Sequence, residues 1–417
     1  MSLGGFHEYC IPTKPEHTVK LNQHVAIMAP SDFIQWRTTA TQSPTLIDDR
    51  PYYPYLKMNS SNEASIIRVA LEVLFHPNKE LIDELLEKNK FSVKVVTGGI
   101  TNALYSLSGL SSLKENDSVL IRVFGAEGMI DRDVETSTFA ALARQGIAPS
   151  FLGRFGNGRL EGWLENYSPL TLEDFQLKET TEAIASEMAK LHFGFVVPED
   201  LKKWHSEEDP GMWGQLFSWM EQAREITEYK SEEDNQRAET LLDLPKLADE
   251  LNWLKADVIP NNAKVAFCHN DLLAANIMRN DLTGEIKLID FEYGGVNYVA
   301  FDIANHFNEY AGGTSEESNG VPDYSLFPSK ERRKDFITAY LRAARDSSAD
   351  SEIETSLEED ISSLTKEVEA FVLANHLYWG LWAVNQAAAE GTEEFDYLTY
   401  AVNRFKRYFD SKMISEF

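Results

Sequence analysis

The stretch "FCHNDLLAANIMRNDLTGEIKLIDFEY", from Phe267 to Tyr293, constrains the fold most, because it sets particular polar groups between apolar strands. "VAFCHND" reads as an apolar strand running into a polar loop, and "EIKLIDF" as a second strand ending on an acid. The two are expected to form a hairpin-like platform that presents Asp271, Asn276 and Asp290 together. Phosphoryl transfer from ATP needs such a set. One carboxylate orients or deprotonates the attacking hydroxyl, while amide and carboxylate oxygens hold magnesium against the phosphates. Singly, each residue would be an ordinary turn or strand end. In this order and between these strands Asp271, Asn276 and Asp290 indicate a kinase-like catalytic site, where one acid and one metal site could meet.

The rest of the chain divides around this loop. Residues 1 to 60 carry scattered Pro, Thr and Ser without a period and read as an N-terminal extension, partly disordered. Residues 61–162 form an N-terminal lobe. "SIIRVALEVLF" through "LIDELLEK" has helical apolar spacing, and "FSVKVVTGG", "NALYSLSGL" and "SVLIRVFG" alternate as strands do. "DRDVETSTFAALARQG" is a helix closed by Gly146, followed by two short strands around the turn "GNG". From residue 163 to 417 the pattern is mainly helical, with "TTEAIASEMAKLHFG" the clearest amphipathic segment. The acidic run at 346–360 reads as a solvated loop and helix start. The fold class is α+β, with a mixed antiparallel-sheet N-lobe and a mainly helical C-lobe.

Charge narrows the partners. The formal net charge is −28 and the pI near 4.7, so nucleic acid and anionic membranes are repelled and a small cation is attracted. Two cysteines, Cys10 and Cys268, stand in no metal-ligand spacing. No apolar run approaches the roughly 20 residues that span a bilayer, and the first residues lack the apolar core of a signal peptide. A cytoplasmic protein is expected. An ATP site also needs a cation on the phosphates and an acid to hold it. Arg122 in "VLIRVFG" and Glu135 in "DRDVET" supply the order, and "TGGITN", with Gly98, Gly99 and Asn102, is a candidate turn over the phosphates.

"FCHNDLLAANIM", "LIDFEYGGVNYVAFDIANHFNEYAG", "GGITN" and the ending "WGLWAVNQAAAEGTEEFDYLTYAVNRFKRYF" resemble the choline/ethanolamine kinase family, across residues 65 to 413. That resemblance implies a protein-kinase-like two-lobed fold, ATP and Mg2+ as cofactors, and a homodimer. Asp271 would be the catalytic base, and Asn276 and Asp290 the magnesium ligands. Arg122, paired with Glu135, would replace the usual kinase lysine. "EGWL", Glu161, Gly162, Trp163 and Leu164, would be the lobe linker whose backbone binds adenine. Glu309 would wall the amino-alcohol pocket.

An ammonium needs acids and aromatic faces. Trp379 and Trp382, three apart on a helix, can face one side, and Tyr293, Phe395 and Tyr400 are further candidates. The motifs resemble ethanolamine kinases more than choline kinases, although "GRLEGWLE" is similar to the choline-kinase linker. "EYAGGTSEE" also lacks the extra ring that choline kinases place after the pocket glutamate. A thin cage suits a primary ammonium, which donates three hydrogen bonds, better than a trimethylammonium, which donates none. The expected product is phosphoethanolamine, the first step of phosphatidylethanolamine synthesis by the CDP-ethanolamine route. Choline kinase and an aminoglycoside-like phosphotransferase are the alternatives, with a non-catalytic binding module behind them. Asp302, His306 and His269 are expected to brace the loop rather than react.

Overall fold

Alternating and β-branched runs in the first half of the chain build one twisted sheet in the computed structural model, which describes residues 52–88, 90–96, 102–110, 117–125, 131–347 and 356–414. Its strands are β1 (Tyr52–Tyr53), β2 (Ser92–Val96), β3 (Asn102–Ser108), β4 (Ser118–Phe124), β5 (Phe151–Phe155) and β6 (Gly158–Gly162). They lie in the order β1-β5-β6-β4-β3-β2, all antiparallel except β1 with β5. Helices α1 (Glu63–Phe75) and α2 (Lys79–Lys88) cover the sheet. Asn62 starts α1 by accepting from the Ser65 N–H at 3.2 Å, and its buried face of Ile66, Val69, Ala70 and Val73 joins Ile121, Phe155 and Leu160 in the lobe's core. Gly98 and Gly99 lie outside the described residues.

The boundary expected at residue 60 moves. Tyr53, Leu56 and Met58 are buried in the N-lobe core. The Asn157 amide fastens the segment, accepting from Met58 N–H at 2.8 Å and donating to its carbonyl at 3.0 Å. This pairing was illegible because two strand residues carry no period. Helix α3 (Arg132–Arg144), capped by Asp131 and ended at Gly146 with φ +75°, also crosses the expected division. Its Phe139 and Leu142 belong to the core of the C-terminal lobe.

That lobe is built on α4 (Lys178–Gly194), α5 (Gly211–Glu225), α6 (Glu232–Leu241), α7 (Leu244–Trp253), α8 (Val299–Glu309), α9 (Lys330–Ser347), α10 (Leu357–Glu390) and α11 (Tyr397–Ile414). Helix α10 begins at a Ser356–Glu359 capping box and is buried on all faces from Ala370 to Asn385, as a helix apolar all round must be. No described helix is long and apolar enough to cross a membrane. The strands of the lobe are β7 (Tyr167–Pro169), β8 (Val265–Cys268), β9 (Ile277–Asn280), β10 (Ile286–Leu288) and β11 (Gly295–Tyr298). Here the expected platform is corrected. β8 pairs with β11 and β10 pairs with β9, so the two strands read from the sequence do not pair with each other. Four residues of "IMRN" supply the nearer partner, since the Asn280–Gly284 turn folds β10 straight back.

Candidate active site

The loop after β8 is held from beneath. Asp302, fully buried on α8, accepts from the His269 N–H (2.9 Å), the Asn270 N–H (2.7 Å) and His192 Nε2 (2.9 Å). Burial works against its charge, but these donors outweigh it and keep the carboxylate ionised. His269 is neutral because of burial, so its Nε2–H donates to the Ile289 carbonyl at 2.8 Å and ties the loop to the turn at Asp290. His306 Nδ1 meets the Leu272 carbonyl at 3.1 Å. The bracing expected of Asp302, His306 and His269 is therefore geometric fact. Asn270 and Asp290 both take left-handed backbone, φ 66° and 63°, which Asn and Asp tolerate better than most residues and which aims the flanking side chains.

Above this brace the three predicted groups converge. The Asn276 amide donates to the Asp271 carbonyl (2.8 Å) and to Asp271 Oδ2 (3.3 Å), which leaves Asn276 Oδ1 as its acceptor. The Ile289 N–H donates to the Asn276 carbonyl at 3.0 Å, seating Asp290 beside it. Burial and the charges of Glu309, Asp290 and Glu292 hold the Asp271 carboxyl well above the usual carboxylate range. A cleft with so many acid oxygens fits a divalent cation. Asp290 and Asn276 Oδ1 form a hard oxygen donor set suited to magnesium.

The sheet supplies the opposing charge, but not by the pairing expected. Arg122 does not bond Glu135. Its Nε donates to Glu161 Oε1 and its Nη1 to Asp290 Oδ1, both at 2.9 Å. Glu135 goes instead to Arg159, at 2.5 Å, and Arg159 Nε also reaches Glu161 Oε1 at 2.8 Å. The reason is register: Arg122 and Arg159 are direct cross-strand neighbours on β4 and β6. Two like charges there repel, and Glu161, two residues from Arg159 on the same face, separates them. Burial opposes the charge of Arg122, yet Asp290, Glu161 and Glu135 outweigh it and raise its pKa. Glu161 is likewise kept ionised against burial by Arg122 and Arg159.

Glu161 is thus an ion-chain residue rather than only a linker. The Gly162 N–H is spent on the Ser150 carbonyl at 2.7 Å, so it is not available to adenine as expected. Trp163 and Leu164 come next in the chain, half-buried. Asn102 sits at the start of β3, where its Nδ2 donates to Glu292 Oε2 at 3.1 Å; Arg132 reaches the same oxygen at 3.3 Å. Glu292 therefore joins the lobes, a role that its place in "DFEY" does not reveal.

The predicted rings form one continuous set. Tyr293 packs on Trp379 (5.3 Å), Trp379 on Trp382 (5.4 Å), Trp382 on Tyr397 (5.5 Å), and Phe395 on Tyr397 (4.9 Å) and Tyr400 (6.0 Å). Trp382 Nε1 donates to the Tyr293 hydroxyl at 3.1 Å, and Trp379 Nε1 to Asn305 Oδ1 at 2.6 Å. Glu309 differs from expectation in its state: buried Arg404 contacts it at 3.4 Å and also donates to the Tyr400 hydroxyl at 2.9 Å. Burial still raises the pKa of Glu309, and Arg404 offsets that only in part. Arg404, Asn305 and Tyr397 are not among the residues expected from sequence. A lone Arg in "NRF" gives no signal, whereas Tyr397 stands within the ending "EEFDYLTYAVNRF" and could have been found there.

A family model described as choline/ethanolamine kinase matches residues 93–409. The chain belongs to the choline/ethanolamine kinase family. It is similar to a probable ethanolamine kinase of Arabidopsis thaliana, 36% identical over 79% of this chain and 82% of the relative. A probable choline kinase of the same plant is 31% identical over 78% and 88%. The solved structure of a Plasmodium vivax ethanolamine kinase superposes with a TM-score of 0.67 at 26% identity, covering 85% of this chain and 91% of that one. Like its relatives, this family member is a kinase of protein-kinase-like fold, and the loop carrying Asp271, Asn276 and Asp290 lies inside the matched span.

Proposed function

We propose that the chain transfers the γ-phosphoryl group of ATP to the hydroxyl of ethanolamine, in preference to choline. Asp271 accepts the hydroxyl proton as the oxygen bonds to phosphorus and the bond to the ADP oxygen breaks. Asp290 and Asn276 would hold the magnesium, which supplies positive charge to the phosphate oxygens. Arg122, fixed by Glu161, is set to face those phosphates.

The substrate choice is carried by the four residues after Glu309. Tyr310 turns away to pack on Phe175 at 4.8 Å, and Ala311, Gly312 and Gly313 add no ring. Gly312 has φ +59°, where any L side chain is strained, and a Cβ there would stand 2.7 Å from Leu172 Cδ1, so a larger side chain would force Leu172 aside. The stretch after Glu309 therefore adds no ring to the set, and a primary ammonium, which donates three hydrogen bonds, depends less on a further aromatic face than a trimethylammonium does. Relatives named for ethanolamine are 32–36% identical and those named for choline 31–33%, a slight lean in the same direction. Steady-state assays with both amines test the choice. A higher kcat/KM for ethanolamine is expected, and a tenfold preference for choline (about 1.4 kcal/mol) would overturn it.

A further inference from the structure

Three helices of the C-terminal lobe carry one arrangement in common. Asn305 precedes Glu309 by one turn on α8, Asn375 precedes Trp379 by one turn on α10, and Arg404 follows Tyr400 by one turn on α11. Residues so spaced lie one above the other on the same helix face. Three of the groups expected to receive the amine therefore each have a polar side chain one turn away.

Those polar side chains bond to one another. Arg404 Nη2 donates to Asn375 Oδ1 at 2.6 Å, and Asn375 Nδ2 donates to Asn305 Oδ1 at 2.9 Å. Asn308 Nδ2, also on α8, is a second donor to Asn375 Oδ1 at 2.8 Å. The network then returns to the amine groups. Arg404 Nη1 donates to the Tyr400 hydroxyl at 2.9 Å and to Glu309 Oε1 at 3.4 Å, and Trp379 Nε1 donates to Asn305 Oδ1 at 2.6 Å.

Stability does not account for this arrangement. Asn305, Asn375 and Arg404 are 0%, 0% and 1% exposed, and the residues beside them in the chain, Ala304, Ala374 and Phe405, belong to the apolar core. Packed apolar side chains in place of a buried ionic network are often as stable or more so. The network is also incompletely satisfied, since Arg404 Nε and Asn305 Nδ2 have no hydrogen-bond partner among the described residues. An apolar core avoids that cost. What the polar version supplies is direction. One planar guanidinium holds an acid and a phenol and, through two amides, the edge of an indole. Glu309 depends on it for charge as well: burial raises its pKa and Arg404 opposes this, so without Arg404 the acid would protonate more readily and hold an ammonium less well.

We propose that Arg404 is a positioning residue for the amine, a role that rests on the kinase reading above. With Asn375 and Asn305 it fixes Glu309, Tyr400 and Trp379 in one geometry, so that the acid and the ring faces meet the ammonium together.

Steady-state kinetics with ethanolamine, choline and ATP varied in turn test it. Arg404→Met is expected to raise the amine KM about tenfold, while kcat and the KM for ATP stay within about twofold, because the network touches neither the catalytic loop nor the sheet. Arg404→Lys keeps the charge without the fork and should recover only part of the loss. In a Glu309→Gln background Arg404→Met should cost less than it does alone, since both changes act on one contact. Asn305→Leu leaves the Arg404–Glu309 contact in place and frees the indole; it should raise the amine KM about threefold, and it decides the matter even if Arg404→Met does not fold. An amine KM that moves by less than about twofold in Asn305→Leu overturns the network, and so does an equal loss in kcat and both KM values, the mark of a generally loosened fold. A wild type that prefers choline would discard only the substrate choice, with the same variants then read on the choline KM. A wild type that phosphorylates neither amine would discard the kinase reading and the role of Arg404 with it.

Discussion

The N-lobe ion chain and the acceptor cleft share Asp290 but treat charge in opposite ways. In the sheet, Arg122 and Arg159 alternate with Glu161 and Glu135 so that each buried ion touches its opposite. In the cleft, Glu309, Asp290 and Glu292 crowd Asp271, which has no ion pair among the described residues. Charges desolvated with their partners are fixed in place, which is what holding a nucleotide needs. A buried carboxyl that other acids surround and that has no counter-ion of its own has its pKa raised, and it favours any cation that arrives. One region is built to be rigid, the other to be completed by what it binds.

Substitution of Asp271 should break the cleft side most severely. Asp271→Ala is expected to lower kcat/KM for the amine about 10^4-fold, near 5.5 kcal/mol, while the Kd for ATP measured by calorimetry stays nearly unchanged. Retention of a tenth of the activity would remove Asp271 from the role of base. On the sheet side, Arg159→Met leaves Glu135 and Glu161 buried with one cation fewer. A stability loss of about 3–5 kcal/mol in urea unfolding is expected. A loss below about 1 kcal/mol would mean that the ion chain is dispensable.

Smaller effects sharpen the contrast. Trp382→Leu removes one ring face, worth roughly 0.5–2 kcal/mol to a cation. It should raise the KM for choline more than for ethanolamine, and equal changes would show that the rings do not discriminate. The last test uses linkage. Because the folded Asp271 pKa is raised, its contribution to stability is fully present below the usual aspartate range and is lost as pH rises through the folded value. Asp271→Asn mimics the protonated form, so it should raise Tm by about 1–2 °C at pH 8 and by nothing at pH 3.5. Equal shifts at both pH values would show that the crowding of acids is unimportant.

Much of the fold and site is legible because periodicity and residue order survive without coordinates. The helices, the strands around the "GNG" turn and the Asp271, Asn276, Asp290 triplet each carry a local signal. Partnerships across strands do not. Chain order assigns Arg122 to Glu135, yet the competitor Arg159 stands directly opposite on β6, and register alone decides which arginine takes which acid. The spacing "R-L-E" in "GRLEG" is the available sign, since residues two apart in a strand share a face. Arg404 lies 95 residues from Glu309 and nothing between them links the two. β9 escapes for a different reason, being only four residues long between a loop and a turn.

The parallel pairing with Arg154–Phe155 makes Tyr52–Tyr53 the rim of the N-lobe sheet. A shortened chain starting at residue 61 would uncover the backbone of β5 at Arg154 and Phe155, together with the apolar patch beneath Tyr53, Leu56 and Met58. An uncovered strand margin of this kind recruits the same margin of another copy. Clumping, rather than a clean loss of catalysis, is how such a trimmed protein would fail.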